Sequence, residues 1–175
     1  GDLKLFYPAS SIEYKNHKII VYALHLLKER KVLGNIKVYF TLEKEEHPTL
    51  MKLINKFQLN DHFIFFGFLN YEKVLSFYKS CDLVVFPSFI ETYGLPLVEA
   101  AAFGKKILAA DLEYAQEVLK GYPGVDFITY NNPKAWSKAI ETQLKAKEIW
   151  KPWLSEDNQH QWNGFFSKVN LLLSS

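Results

Sequence analysis

The sequence predicts an α/β protein with a doubly wound, mostly parallel six-stranded sheet. Three observations carry that prediction. Six short β-prone runs recur along the 175 residues, with stretches of helical periodicity between them. Several runs are apolar throughout rather than alternating, as strands covered on both faces are. Gly, Pro and Asn punctuate the joints, where strands hand over to helices.

Leu3–Tyr7 is the first strand. Asn16 is placed to cap a helix reaching Arg30, with Ile19, Ile20, Ala23, Leu24 and Leu27 at helical spacing. Lys28, Arg30 and Lys31 suit the negative end of its dipole. Ile36–Thr41 is the second strand, and Pro48 opens a helix to Phe57. Phe63–Phe66 is a third strand closed by Gly67. Tyr71–Ser80 is helical, and Leu83–Phe86 is a fourth strand stopped by Pro87. The loop Pro87–Leu95 leads into a helix from Pro96 to Phe103, ended by Gly104. Lys106–Ala110 is the fifth strand, Glu113–Lys120 a helix, and Phe127–Tyr130 the sixth strand. Asn132 and Pro133 start a helix that fades near Trp150. A last helix, Asn158–Leu173, follows Pro152. The expected organisation is one domain over residues 1–157 and a terminal helix over 158–175.

Composition narrows the function. The chain is 49% hydrophobic and 16% aromatic, which excludes intrinsic disorder. Its one cysteine, Cys81, excludes a disulfide scaffold and a Cys-based zinc site, and is expected in the core. No apolar run approaches the ~18 residues of a membrane span, and no leader or glycosylation sequon is visible. A cytoplasmic setting is expected. A net charge of +2 does not argue for nucleic acid. Arg30 is the sole arginine, so any anion site must work with lysine and backbone. The first residue is Gly1 rather than Met, and the chain is expected to be an excised piece of a longer protein.

The familiar phosphate motifs are missing: no G-x-G pair occurs, and no Gly-Lys-Ser/Thr follows a strand. Histidines 17, 25, 47, 62 and 160 lack metal-ligand spacing and are expected on the surface or at helix ends. Two loops remain. Residues 8–16 bring Ser10, Ser11 and Lys15 to the start of a helix, where backbone N–H groups and the dipole favour an anion; the plain alternative is a capped loop. Residues 87–100 carry Glu91 at the tip, Gly94 where a backbone can approach closely, and Glu99 in an otherwise apolar helix. A carboxylate in such surroundings costs free energy unless something pairs with it, and a diol suits its two oxygens. The spacing alone decides nothing, because Glu148 and Glu156 share it without the strand–loop–helix context. On residues alone, a surface charge plus a dipole-favoured helix carboxylate remains an equal reading.

Taken together, the loops resemble the nucleotide-sugar-binding half of GT-B glycosyltransferases, specifically family 4 (glycosyl transferases group 1). The resemblance runs from Leu3 to Ala139. It rests on Tyr-Lys-Asn-His at 14–17, Phe-Phe-Gly-Phe at 65–68, and Phe-Tyr-Lys-Ser-Cys-Asp-Leu-Val-Val-Phe-Pro-Ser at 77–88. It continues through Glu-Thr-Tyr-Gly-Leu-Pro-Leu-Val-Glu-Ala at 91–100, an E-x7-E pattern, and Glu-Val at 117–118. The resemblance implies a Rossmann-like fold forming one half of a GT-B architecture. It implies a retaining transferase that moves a hexose from a UDP- or GDP-sugar to a glycan or lipid-linked acceptor, without metal or other cofactor. By position, Glu91 matches the glutamate facing the donor sugar and Lys15 the lysine that neutralises the leaving diphosphate. Glu99 matches the glutamate that binds ribose hydroxyls. Amides around Tyr93, Gly94 and Leu95 would reach the diphosphate or sugar, and the backbone at Gly67 and Phe68 would line the base pocket.

Four departures stand out. Ala9-Ser10 replaces a common Gly-Arg pair: either Ser10, Ser11 and amides compensate, or a lysine such as Lys105 reaches in, or binding is weak. Glu-Thr-Tyr-Gly replaces the commoner Glu-Gly-Phe-Gly, and Thr41-Leu42-Glu43 replaces a Gly-x-Gly. The acceptor-binding half that the family pairs with this one is expected to lie outside these 175 residues. The helix 158–173, with Trp162, Phe165 and Phe166, either crosses to that half or caps this domain. The family implies polysaccharide or lipopolysaccharide biosynthesis at the inner face of the cell membrane, with any membrane contact in the absent half. Two alternatives stay open: another nucleotide-handling enzyme such as an epimerase or phosphorylase, and a degenerate, non-catalytic module that binds a partner.

Overall fold

A computed structural model describes residues 2–145, 150–153 and 171. Strands β1 (Asp2–Tyr7), β2 (Asn35–Phe40), β3 (Phe63–Phe65), β4 (Leu83–Phe86), β5 (Lys106–Ala110) and β6 (Val125–Ile128) form one six-stranded sheet. Its order is β3-β2-β1-β4-β5-β6, and every pair is parallel. Helices α1 (His17–Glu29), α2 (Pro48–Lys56), α3 (Tyr71–Ser80), α4 (Leu95–Ala102) and α5 (Glu113–Val118) supply the crossovers, and α6 (Pro133–Lys145) follows β6. α1 packs on α2 and α6, while α4 packs on α3 and α5.

The strand order explains the burial. β4 and β5 sit between neighbours and are buried along their whole length, as their unbroken apolar runs require. α1 buries Ile19, Ile20, Ala23, Leu24 and Leu27, the face its periodicity marked. Truncating one such leucine to alanine costs roughly 2–5 kcal/mol. Trp136 of α6 is fully buried, and its indole N–H donates to Thr129 O at 3.2 Å.

Most expected elements stand within a residue or two of their observed ends. The sixth strand is displaced: it is Val125–Ile128, paired with Ile107–Ala110, rather than Phe127–Tyr130. Asp126 disguised it, since aspartate is depleted in strands. At this sheet edge it is half-exposed and takes the Lys106 ammonium at 2.9 Å. Asn16 does not cap α1 with its side chain; it sits at the cap position in the left-handed region, φ 58°, and its amide is used elsewhere. The α6 helix is described to Lys145, and Trp150 lies outside it. Apart from Leu171, the expected helix 158–173 and the boundary at 157 lie outside the described residues.

The direction of the chain reverses between β1 and β4: from β1 it proceeds outward to β2 and β3, and from β4 outward to β5 and β6. In open parallel sheets this switch point, at the carboxyl ends of the strands, leaves a crevice for ligands. The loops that leave β1 and β4 there are residues 8–16 and 87–94.

Candidate donor site at the switch point

The two loops are bonded into one unit. Tyr14 O accepts the Phe89 N–H at 3.0 Å and lies 3.3 Å from the Ser88 hydroxyl, which also reaches Ile90 O at 3.0 Å. The Asn16 amide donates to Pro87 O at 3.1 Å and to Tyr130 O at 2.9 Å, joining the loops after β1, β4 and β6. That double donation is why Asn16 tolerates a left-handed backbone, which asparagine enters more readily than bulkier residues. Two phenols, one buried and one half-buried, brace the unit from below: Tyr7 donates to Lys15 O at 2.7 Å and Tyr114 to Ser88 O at 2.6 Å.

This bracing brings Lys15 to Glu91. Their side chains meet at 2.5 Å and are 16% and 11% exposed. The lysine therefore already has a counter-ion. Ser10 is exposed and Ser11 half-buried on the same loop. Ala9 anchors that loop to β2 through the Thr41 hydroxyl at 3.0 Å. Lys105 does not reach in. Its ammonium is held by Lys79 O at 2.8 Å and Cys81 O at 2.9 Å, where α3 leads into β4, at the opposite end of the strand.

Beyond Glu91 the chain exposes Tyr93 and turns at Gly94, the cap position of α4. Gly94 has φ 59°, a backbone conformation that side-chain-bearing residues rarely adopt, while a β-carbon there would meet Leu97 and Tyr114 at ordinary contact distances of 3.4–3.5 Å. α4 then starts at Leu95, one residue before Pro96, which occupies its first turn. Four residues on, Glu99 is 8% exposed among fully buried alanines and Leu97. Burial holds its carboxyl above the usual carboxylate range, and hydrogen bonds from the Tyr78 and Tyr71 hydroxyls pull it part of the way back. Tyr78 is fully buried and also lies 3.2 Å from Pro96 O, whereas Tyr71 is 42% exposed at the rim. Sequence reasoning missed both tyrosines. Their seven-residue spacing, two turns of one helix face, was the available signal.

Gly67 and Phe68 lie on the loop between β3 and α3. Gly67 is buried with φ 66°, and Phe68 is 92% exposed. Phe66 beside them stacks on Tyr39, with centroids 5.6 Å apart and planes 9° apart. Cys81 is buried in the core, as expected, with its thiol pushed up to about 12 by desolvation. His17 and His47 stand at helix ends as expected, but both are buried. Two surface hollows of about 500 Å³ each run along the α1–α6 groove, lined in part by Arg30, Lys134 and Ser137, and touch none of the residues of the two loops. Among the described residues, no group of three His, Cys, Asp or Glu side chains is placed to hold a metal. Nor is any helix there long and apolar enough to cross a membrane.

The model of one family, glycosyl transferases group 1, matches residues 1–156. The chain belongs to that family. It is 29% identical over 107 residues to the serotype-specific mannosyltransferase WbdA of Escherichia coli, covering 60% of this chain and 13% of that protein. It is 25% identical over 93 residues to the O-antigen chain mannosyltransferase RfbU of Salmonella typhimurium, covering 53% and 26%. This member of the group 1 family thus matches about a quarter or less of those relatives' length. Among solved structures, Anabaena Alr3699/HepE in complex with UDP and glucose superposes with a TM-score of 0.75 at 18% identity, covering 99% of this chain and 47% of that one. The catalytic domain of a Helicobacter pylori cholesterol-alpha-glucosyltransferase gives 0.64 at 18% identity, covering 95% and 94%. At these identities the likeness is one of fold, and the fold is that of GT-B glycosyltransferases.

Proposed function

We propose that this group 1 domain binds the nucleotide-sugar donor of a retaining hexosyltransferase, which transfers a hexose to a glycan or lipid-linked acceptor. One observation carries the reading. The Lys15–Glu91 pair and the buried Glu99 converge on the Gly94-opened end of α4 at the switch point, from loops bonded to one another.

Each residue then has a task. Glu99, fixed by two phenols, keeps acceptor capacity for two ribose hydroxyls, since a carboxylate has about four lone-pair positions. The amides at Tyr93, Gly94 and Leu95, at the positive end of α4, face the diphosphate. Lys15 counters the charge that builds on the diphosphate as the glycosidic bond breaks. A lost donor of this kind typically costs about 3 kcal/mol. Glu91, beside it, orients the sugar and tolerates its developing positive charge. In place of the expected arginine, Ser10, Ser11 and loop amides supply neutral donors. The proposed chemistry uses no metal or cofactor.

The acceptor would be held by the other half of a longer protein. The relatives' names, O-antigen and serotype-specific mannosyltransferases, support a role in surface-polysaccharide assembly, on the cytoplasmic side of the cell membrane. The rival reading, a non-catalytic binding module, takes its support from Ala9-Ser10 and from a lysine already neutralised by Glu91. Titration of UDP, GDP and ADP and their hexose conjugates against the chain, by ligand-observed NMR, separates the two. Binding of a nucleoside diphosphate that Glu99→Gln abolishes supports the donor site. Silence up to millimolar ligand by a folded protein refutes it.

A further inference from the structure

We propose that the donor site takes a guanine nucleotide, and that the Glu43 carboxylate at its edge selects that base. The inference rests on the donor-site reading and deepens it by naming the nucleotide.

Glu43 stands just past the end of β2, and Gly67 just past the end of the neighbouring β3. Two hydrogen bonds continue the pairing beyond the strands: Phe66 N–H to Phe40 O at 3.0 Å, and Gly67 N–H to Leu42 O at 3.2 Å. They bring Glu43 alongside Gly67. A β-carbon on Gly67 would collide with one oxygen of the Glu43 carboxylate and lie 3.1 Å from the other. Glycine is what leaves the acid room to lie over this loop. The loop then runs to Tyr71, whose hydroxyl is bonded to Glu99. A nucleoside whose ribose sits on Glu99 extends its base along the Gly67–Asn70 backbone, and the outer edge of that base arrives at Glu43.

Glu43 is exposed and forms no ion pair among the described residues. Its local duty is the turn Lys44–Glu46, where it forms a capping box with Glu46, whose carboxylate lies 2.7 Å from the Glu43 N–H. One cap bond leaves most of the carboxylate's acceptor positions open. Guanine offers two adjacent N–H donors, at N1 and at the 2-amino group, and both can point at one carboxylate. Uracil offers a single N–H flanked by two carbonyl oxygens, which face the carboxylate as like charges. Adenine sets one amino donor beside an unprotonated ring nitrogen, whose lone pair meets the second oxygen. The same acid therefore attracts one base and repels the others, and unpaired or opposed polar groups penalise the wrong ligand more than a missing contact would.

Isothermal titration of the 175-residue chain with GDP, IDP, UDP and ADP tests this. IDP is the informative probe, because it keeps the N1 donor and lacks the 2-amino group. We expect GDP to bind about tenfold tighter than IDP and about a hundredfold tighter than UDP or ADP, one to two hydrogen bonds to a charged acceptor. Glu43→Gln keeps an acceptor for the turn. It should weaken GDP at least tenfold while UDP and ADP, relieved of the opposed charge, bind tighter. UDP or ADP binding as tightly as GDP overturns the proposal. So does a Glu43→Gln variant that weakens all four ligands equally. Failure of the underlying donor site has a different pattern: no nucleotide binds, or Glu99→Gln binds as well as the parent, and the base assignment falls with it.

Discussion

His17 opens α1 directly after Lys15 and Asn16, and it is 1% exposed. Its ring packs against Tyr7 at 4.8 Å and Phe40 at 4.9 Å, with His47 at 5.9 Å. Neither ring nitrogen has a hydrogen-bond partner among the described residues. Burial, with smaller contributions from His47 and Lys15, pushes its pKa down to about 3 from 6.5. The unfolded chain therefore binds a proton that the folded one refuses, at every pH between those values. Stability contributed by this site is intact above about pH 6.5 and is lost as the pH falls towards 3. Linkage with the two pKa values gives a loss of about 2 kcal/mol between pH 7 and pH 5. Urea unfolding of the parent and of His17→Phe at pH 7, 6 and 5 measures it. Phenylalanine keeps a ring in the same aromatic nest, and other titrating groups, His47 included, are common to both proteins. The variant should gain about 2 kcal/mol on the parent across that range, whatever its offset at pH 7. Parallel pH–stability curves for the two proteins would refute the reasoning, and would mean that the folded state reorganises to charge or solvate His17.

Four further outcomes follow from the same geometry. Lys15→Met should weaken nucleoside diphosphates about a hundredfold and nucleosides hardly at all, read by titration calorimetry. Donor affinity should fall as the pH is lowered, because a protonated Glu99 loses acceptor capacity; in Tyr71→Phe, which removes one bond favouring the charged form, the fall should begin at a higher pH. Asn16→Ala strands Pro87 O and Tyr130 O and keeps a left-handed backbone; it should cost roughly 2–3 kcal/mol, seen as a melting temperature about 5–10 °C lower. Gly67→Ala should weaken nucleotide binding sharply, because its β-carbon would evict the Glu43 carboxylate from the loop.

The sequence carried the sheet and the loops that matter because their signals are local. Leu83–Phe86 and Lys106–Ala110 are apolar runs with the length of buried strands, and the structure buries them whole. Glu99 was legible for the same reason, as a lone acid in an apolar helix. Its phenol partners were not, because Tyr71 and Tyr78 read equally well as ordinary positions on an amphipathic helix. The Lys15–Glu91 contact spans 76 residues, and nothing along the chain announces which cation meets which anion. Lys105 shows the converse error. It was one of the groups that could have stood in for the missing arginine, yet strand direction puts it at the other edge of the sheet. Asp126 hid the start of β6 because edge strands accept residues that central strands reject.

The pairing of Lys15 with Glu91 leaves the lysine's charge already answered. An arriving anion does not fall into an open positive well; it has to outcompete a carboxylate that is attached to the protein and therefore never diluted. A singly charged ion gains little by that exchange. A ligand that is anchored elsewhere, by its sugar ring or its base, competes for the lysine at the high local concentration its other contacts create. On the proposed donor-site reading, small anions would gain too little to bind there, and a molecule that brings the whole set of groups at once would displace the carboxylate.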